Sequence, residues 1–250
     1  MTRRAVYLPI VAAILSTGWL TAQPAQLSIA DEFRMVEVAS VSDAMEQLYG
    51  QRAYMSHEMR PLARAKFAGP AVTVLLKKEE HKEGSAASQG MLDAIDESPA
   101  GSVYVMVVDR GTGAPGVNNE GADYAGIGGL MATAMKYRGF AGAVIDLSVR
   151  DTPQIRKLQF PVFSRGVAPS TTINHYRVTG VNVPVTCAGV RVNPGDIVTA
   201  DEDGVAVVPQ AKAADVLKKS QQLDDTEHRM IPFIEKFRSI KEAVKQFGRI

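Results

Sequence analysis

The chain has 250 residues, 28 Lys and Arg against 27 Asp and Glu, a formal net charge of +1 and a hydrophobic share of 46%. That length and apolar share build one good-sized core, and the balanced charge excludes a general nucleic-acid binder, which carries a basic excess. The single cysteine, Cys187, excludes an internal disulfide and a cysteine-based zinc cluster. It reads as a small buried apolar residue rather than a nucleophile.

At the N-terminus, Arg3 and Arg4 precede an apolar run from Ala5 to Leu20 and then the small and polar residues Thr21 to Ala25. This is the order of an export signal cut after Ala22 or after Ala25, so residues 1–25 are set apart from the fold. Residues 2–8 partly resemble a twin-arginine signal, although the apolar run suits the general secretion route better. The competing reading is a retained anchor, for which the run is slightly short of the roughly 20 residues of a membrane span. A soluble mature protein, periplasmic or secreted and free of the membrane, is the expectation.

Residues 40–48 read as a helix opened by Ser40, Ser42 and Asp43 and closed by Gly50. Gly69 and Pro70 lead into an alternating strand at 71–76. The charged loop at 77–85 sets His81 among Glu79, Glu80 and Glu83, a composition that suits a metal cluster less well than a solvated loop. A helix at 88–97 has Met91, Leu92 and Ile95 on one face. The continuous apolar run at 103–109 is a strand buried on both faces.

The most informative stretch is Gly126 to Asp151. A glycine turn opens a helix over 129–138, Gly139 closes it, an apolar strand around 143–145 follows, and Arg150 and Asp151 stand just past its end. With the strand at 103–109 this makes a βαβ unit, whose ligands gather at the carboxyl ends of the strands. First-turn amides of a helix lack internal partners and carry the positive end of its dipole, so Gly128, Gly129, Leu130 and Met131 can present N–H groups to a carboxylate. Arg150 offers a planar fork suited to a carboxylate or an enolate oxygen, and Asp151 is a hard oxygen donor of the kind that holds Mg2+ or Mn2+. The bland reading is an ordinary turn beside a solvated ion pair.

Downstream, a short strand at 160–164 is followed by Arg165 and Gly166, and by apolar runs at 181–185, 189–192, 196–201 and 205–209. Turn residues at 193–196 and 201–204 make these antiparallel connections, with the acids as turn formers. From Lys212 the pattern is helical, with a break expected at Pro232 and apolar residues suited to a neighbouring subunit.

Taken in order, these blocks resemble the RraA-like family, which includes class II pyruvate aldolases acting on 4-hydroxy-4-methyl-2-oxoglutarate. The resemblance runs from about Val36 to Pro209 and rests on residues 69–74, 128–151, 160–166, 181–196, Asp201, Gly204, Val205 and Pro209. It implies a layered α/β fold related to phosphohistidine swivelling domains, with a mixed sheet, over residues 26–210 and a helical tail over 211–250. It also implies a homotrimer or hexamer with sites between subunits.

On the same resemblance, Gly128 to Met131 bind the carboxylate of a small 2-oxo acid, Arg150 stabilises the enolate and Asp151 ligates the divalent cation. An acid from the next subunit's tail, matched by Glu227 with Asp224 or Asp225 as rivals, reaches that metal through water. Two positions depart from the pattern: the aldolases' acid that positions the proton-accepting water falls on Gly129, and the glycine usual after Asp146 is Leu147. Glu120 or Asp123 is a candidate replacement carboxylate. Aldol cleavage needs a base for the hydroxyl proton, whereas decarboxylation of oxaloacetate does not. The expectation is a metal-dependent 2-oxo-acid lyase whose decarboxylase activity survives better than its aldolase activity, the alternative being a non-catalytic binding or regulatory protein.

Overall fold

The computed structural model describes residues 27–109 and 123–249. The export segment and Glu120 therefore lie outside the described residues. The centre of the molecule is a parallel core of four strands, β2 (Phe67–Lys78), β3 (Val103–Val108), β5 (Gly142–Val149) and β6 (Val162–Val167). All residues of β3 and β5 are buried, as continuous apolar runs predict for strands covered on both faces. Antiparallel strands extend the sheet: β1 (Arg60–Pro61) on β6, and β10 (Ile197–Asp201) with β11 (Gly204–Val208) on β2.

β2 is longer than the alternation predicts because it serves two partners. Its first residues pair with β10 and its last with β7 (Tyr176–Val181). Gly69 and Pro70 thus lie inside the strand, and a side chain at Gly69 would run into the Gly101 carbonyl. The expected strand at 181–185 divides instead: Asn182 takes a φ of 52°, and the chain leaves β7 for the small β8 (Val185–Cys187) and β9 (Val190–Val192) hairpin. Cys187 is fully buried there.

One core layer lies under α3 (Gln89–Glu97), α4 (Gly129–Tyr137) and α5 (Thr152–Lys157), with Tyr104, Met106, Met135, Ile145 and Leu147 fully buried in it. Leu92, expected on the inner face of α3, is partly exposed, while Met91 and Ile95 are buried. A second layer joins the other sheet face to the β8–β9 hairpin. A third packs α1 (Ile29–Phe33), α2 (Val38–Tyr49) and α6 (Ala213–Phe237) against β11.

The start of α2 differs from the sequence expectation. It opens at Val38, not near Ser40, because its end is capped from a distance: Asp224 accepts from Glu37 N at 3.0 Å and Asp201 from Val38 N at 2.9 Å. Asp201 also accepts from Asp203 N at 3.0 Å, the turn-forming role expected of it. The tail differs too. Pro232 does not break α6, which runs unbroken to Phe237; the turn comes at Arg238, φ 51°, and α7 (Ile240–Phe247) folds back so that Phe247 meets Phe233. Packing of Phe233, Phe237 and Phe247 offsets the backbone hydrogen bond that a proline forfeits.

Burial, and after it the Asp203 and Glu37 carboxylates, raise the pKa of Asp201, while Lys66, at 2.9 Å, lowers that of Glu37. An acid with a raised folded pKa stabilises fully below its unfolded value, about 3.9 for aspartate, and loses that contribution as pH rises through the folded value. Glu37 acts in the opposite sense, losing its contribution as pH falls. Asp201→Asn is therefore expected to flatten the decline in stability above about pH 4, as measured by urea unfolding from pH 4 to 7. An unchanged slope would show that Asp201 is not a source of it.

Candidate active site

β5 outlasts β3. Its first half pairs with β3, and its last residues pair with the short β4 (Ala125–Ile127), Ile127 lying opposite Val149. That register carries the chain directly from β4 into the first turn of α4 beside the end of β5, and Arg150 N donates to Ile127 O at 3.1 Å. The sequence order turn, helix, strand, Arg, Asp thus becomes one spatial cluster.

Gly128 is the N-cap of α4 and has no side chain to satisfy the amides above it. Asp151 does so: its Oδ2 accepts from Gly129 N at 3.0 Å. Asp151 reaches it from a left-handed conformation, φ 57°, at the start of α5. Aspartate tolerates this conformation better than most residues. Gly128 is required by close approach, since a Cβ there would stand 2.7 Å from Asp151 Oδ2 and 3.2 Å from Arg150 Nε. Gly128→Ala should displace both side chains and lower any activity of this site by about tenfold or more, read as kcat/KM alongside an unchanged circular dichroism spectrum.

Arg150 Nε lies 3.9 Å from Asp151 Oδ2, and its Nη1 donates to Ser170 O at 3.2 Å. Ser170 in turn holds the approach to β4, accepting from Ala125 N at 3.2 Å and donating to Asp123 O. Both charged side chains are about half exposed, 42% for Arg150 and 50% for Asp151, so a ligand can reach them. They border a cleft of about 360 Å³ completed by Thr152, Pro153, Val167, Ala168 and Pro169.

The cluster therefore brings together Gly128, Gly129, Arg150 and Asp151 as the sequence predicts, with one refinement. The Gly129 amide donates to Asp151, whereas the Leu130 and Met131 amides, also in the first turn, have no intrahelical acceptor. Leu130 and Met131 are thus the first-turn amides that an acceptor from outside the helix would meet.

A divalent cation fits the donor set in a limited way. Asp151 supplies one hard oxygen in an open cleft, as suits an ion that keeps most of its ligands as water and substrate. Among the described residues no group of three or more His, Cys, Asp or Glu side chains is placed to hold a metal. Glu227 does not join Asp151 within the chain; it pairs with Arg249 Nε at 3.0 Å, and Arg249 also reaches Asp43 at 3.1 Å. Asp224 is spent on the cap of α2. His81 is not available as a ligand: its Nδ1 accepts from Glu83 N at 3.2 Å, leaving Nε2–H to donate to Tyr176 O at 3.1 Å.

One buried network joins β5 to β6. Asp146, fully buried on β5, accepts from Arg165 Nε on β6 and from Ala188 N at 3.2 Å, and Arg165 also meets Glu58. Burial alone would lower the pKa of the Arg165 guanidinium, but the two carboxylates raise it instead. The signal was present in the sequence as opposite charges on two apolar strands, which must pair if both are buried.

A family model described as RraA-like, Aldolase/RraA, matches residues 38–207. A protein of Halalkalibacterium halodurans named "Putative 4-hydroxy-4-methyl-2-oxoglutarate aldolase" is 31% identical over 208 residues, spanning 80% of this chain and 87% of that protein. A solved structure of an uncharacterized protein from Pseudomonas syringae pv. tomato shares 27% identity at a TM-score of 0.73, covering 89% of this chain and 99% of that one. Another, Streptomyces coelicolor RraAS2, described as an unusual member of the RNase ES inhibitor RraA protein family, shares 25% identity at a TM-score of 0.67, over 80% of this chain and 93% of that one. With the turn, helix and Arg150–Asp151 pair inside the matched span and the mixed α/β fold shared with these structures, the chain belongs to the RraA-like (Aldolase/RraA) family.

Proposed function

We propose that this protein is a divalent-metal-dependent lyase of 2-oxo acids, acting on oxaloacetate and on 4-hydroxy-4-methyl-2-oxoglutarate or a near relative. The observation that carries the reading is that Asp151, which with Arg150 borders an open cleft, also holds the first turn of α4 through Gly129 N. Leu130 and Met131 N–H bind the substrate carboxylate, and the Arg150 fork meets the oxygen on which negative charge develops as the C–C bond breaks. Asp151 would hold the cation, Mg2+ or Mn2+, which would supply Lewis-acid polarisation of the 2-oxo group. Ser170, by fixing Arg150, sets the direction of the fork.

Purified mature protein supplied with Mg2+ or Mn2+ should release pyruvate from oxaloacetate, and chelation of the cation should stop it. Absence of turnover with either cation would leave the alternative, a non-catalytic binding or regulatory member, a reading supported by the RNase ES inhibitor family of the RraAS2 neighbour and by the missing acid at Gly129.

Assembly as a homotrimer or hexamer belongs to the same proposal. Leu130, in the first turn of α4, and Tyr137, seven residues along the same face at its far end, are 84% and 83% exposed, and Val167 at the cleft is 61% exposed. Apolar side chains this bare next to a functional cleft suit a neighbouring copy. Leu130→Glu together with Tyr137→Glu should reduce the mass seen by analytical ultracentrifugation toward that of one chain. Export through the N-terminal segment is likewise proposed. Among the described residues no helix is long and apolar enough to cross a membrane.

A further inference from the structure

Gly129 opens the first turn of α4 and is nevertheless buried. What covers it is the side chain of Gln154, from the first turn and a half of α5. A Cβ at position 129 would stand 2.6 Å from Gln154 Cδ and 3.1 Å from its Nε2, with Oε1 nearer still. The carboxamide occupies the space that a side chain at 129 would fill.

Its orientation is fixed by its neighbours. The Thr133 hydroxyl donates its one proton to Gly129 O at 2.6 Å, so its oxygen is left to accept, and Gln154 Nε2 donates to it at 3.2 Å. The carbonyl Oε1 is therefore the end turned toward Gly129. Gln154 N also donates to Asp151 O at 3.0 Å, tying the residue to the cation-binding corner. An acceptor with no useful proton affinity is held over the start of α4, beside the amide that Asp151 caps.

Resting on the lyase reading above, we propose that Gln154 is a specificity-determining residue: its Oε1 accepts the hydrogen bond of the substrate's 4-hydroxyl, directly or through one water, and cannot take the proton. In retro-aldol cleavage the C3–C4 bond breaks and its electron pair enters the pyruvate enolate facing Arg150. The hydroxyl-bearing carbon becomes a carbonyl, and the hydroxyl proton passes to solvent hydroxide, giving water. The enolate then takes a proton from water to complete the second product. Decarboxylation of oxaloacetate forms the same enolate with loss of CO2 and has no hydroxyl proton to dispose of. The chain thus recognises hydroxylated 2-oxo acids while cleaving them in proportion to hydroxide.

Two measurements test this on the full mature protein. The first is thermal shift with the cation chelated, so that nothing turns over, comparing 4-hydroxy-4-methyl-2-oxoglutarate with 2-oxoglutarate. The hydroxylated acid should give the larger shift with the unaltered protein, and Gln154→Ala should erase that difference while still responding to both. A difference that survives Gln154→Ala overturns the assignment. No shift with either acid in the unaltered protein would instead remove the anion cradle itself, and the lyase reading with it.

The second is the pH profile of pyruvate release with Mg2+. In the unaltered protein the aldol rate should climb with pH without a plateau. Gln154→Glu places a carboxylate at the same point, and the ratio of aldol cleavage to oxaloacetate decarboxylation should rise by about 10²-fold near neutrality, with a plateau set by the new acid. An unchanged ratio and profile would overturn the proposal. Because the side chain is exposed, both variants should retain the fold.

Discussion

Asp151→Asn is expected to reduce metal-dependent pyruvate release by about 10²–10³-fold in kcat/KM while leaving the thermal midpoint close to that of the unaltered protein. The separation follows from the two jobs Asp151 does. Its Oδ2 accepts from Gly129 N and so caps α4, a role that an asparagine oxygen can fill. Asparagine also tolerates the left-handed backbone found at this position, φ 57°. What it lacks is the charge that a hard cation requires. Asp151→Ala should lose both functions, adding a stability loss of about 1 kcal/mol from the missing cap. Calorimetry of Mn2+ binding supplies the direct check: a cation affinity unaltered by Asp151→Asn would refute the assignment of Asp151 as the ligand.

The second large effect lies away from the chemistry. Arg165→Met should destabilise the fold by about 3–5 kcal/mol, since it strips the guanidinium from a carboxylate buried on β5. Asp146 is 0% exposed, and the Ala188 amide at 3.2 Å does not replace a full positive charge. In a domain of this size that corresponds to a fall of roughly 10 °C in thermal midpoint. Glu58→Gln, which removes only the exposed end of the network, should cost under about 1 kcal/mol, its carboxylate side chain being 52% exposed. Equal effects of the two variants in urea unfolding would show that the Asp146–Arg165 pair does not anchor β5 to β6. Because β5 leads directly into Arg150 and Asp151, this pair also steadies the strand that carries the site.

Much of the site was legible because its parts are close in sequence. A glycine turn, a helix and a strand ending in Arg-Asp put amides, guanidinium and carboxylate at one sheet edge by local geometry alone. The βαβ unit and the hairpin of β10 and β11 followed from apolar runs and turn residues for the same reason. The cap of α2 could not be read this way: its acceptors, Asp201 and Asp224, come from 163 and 187 residues further along the chain. Nor could the fate of Pro232. A break there follows from the backbone hydrogen bond that proline lacks, whereas the contacts of Phe233 with Phe237 and Phe247 that offset it depend on α7 folding back.

By itself the sequence determined the family pattern, the order of the site's elements and the absence of an acid at position 129. The tertiary structure alone decided what stands in that acid's place, because Gln154 reaches Gly129 across the gap between two helices. It also decided that Asp151 holds the Gly129 amide and that Glu227 pairs with Arg249. The physical reason is the same in each case. Propensity and periodicity act over a few residues, whereas hydrogen-bond satisfaction of a helix end or a side-chain amide is settled by whichever group packing brings within reach.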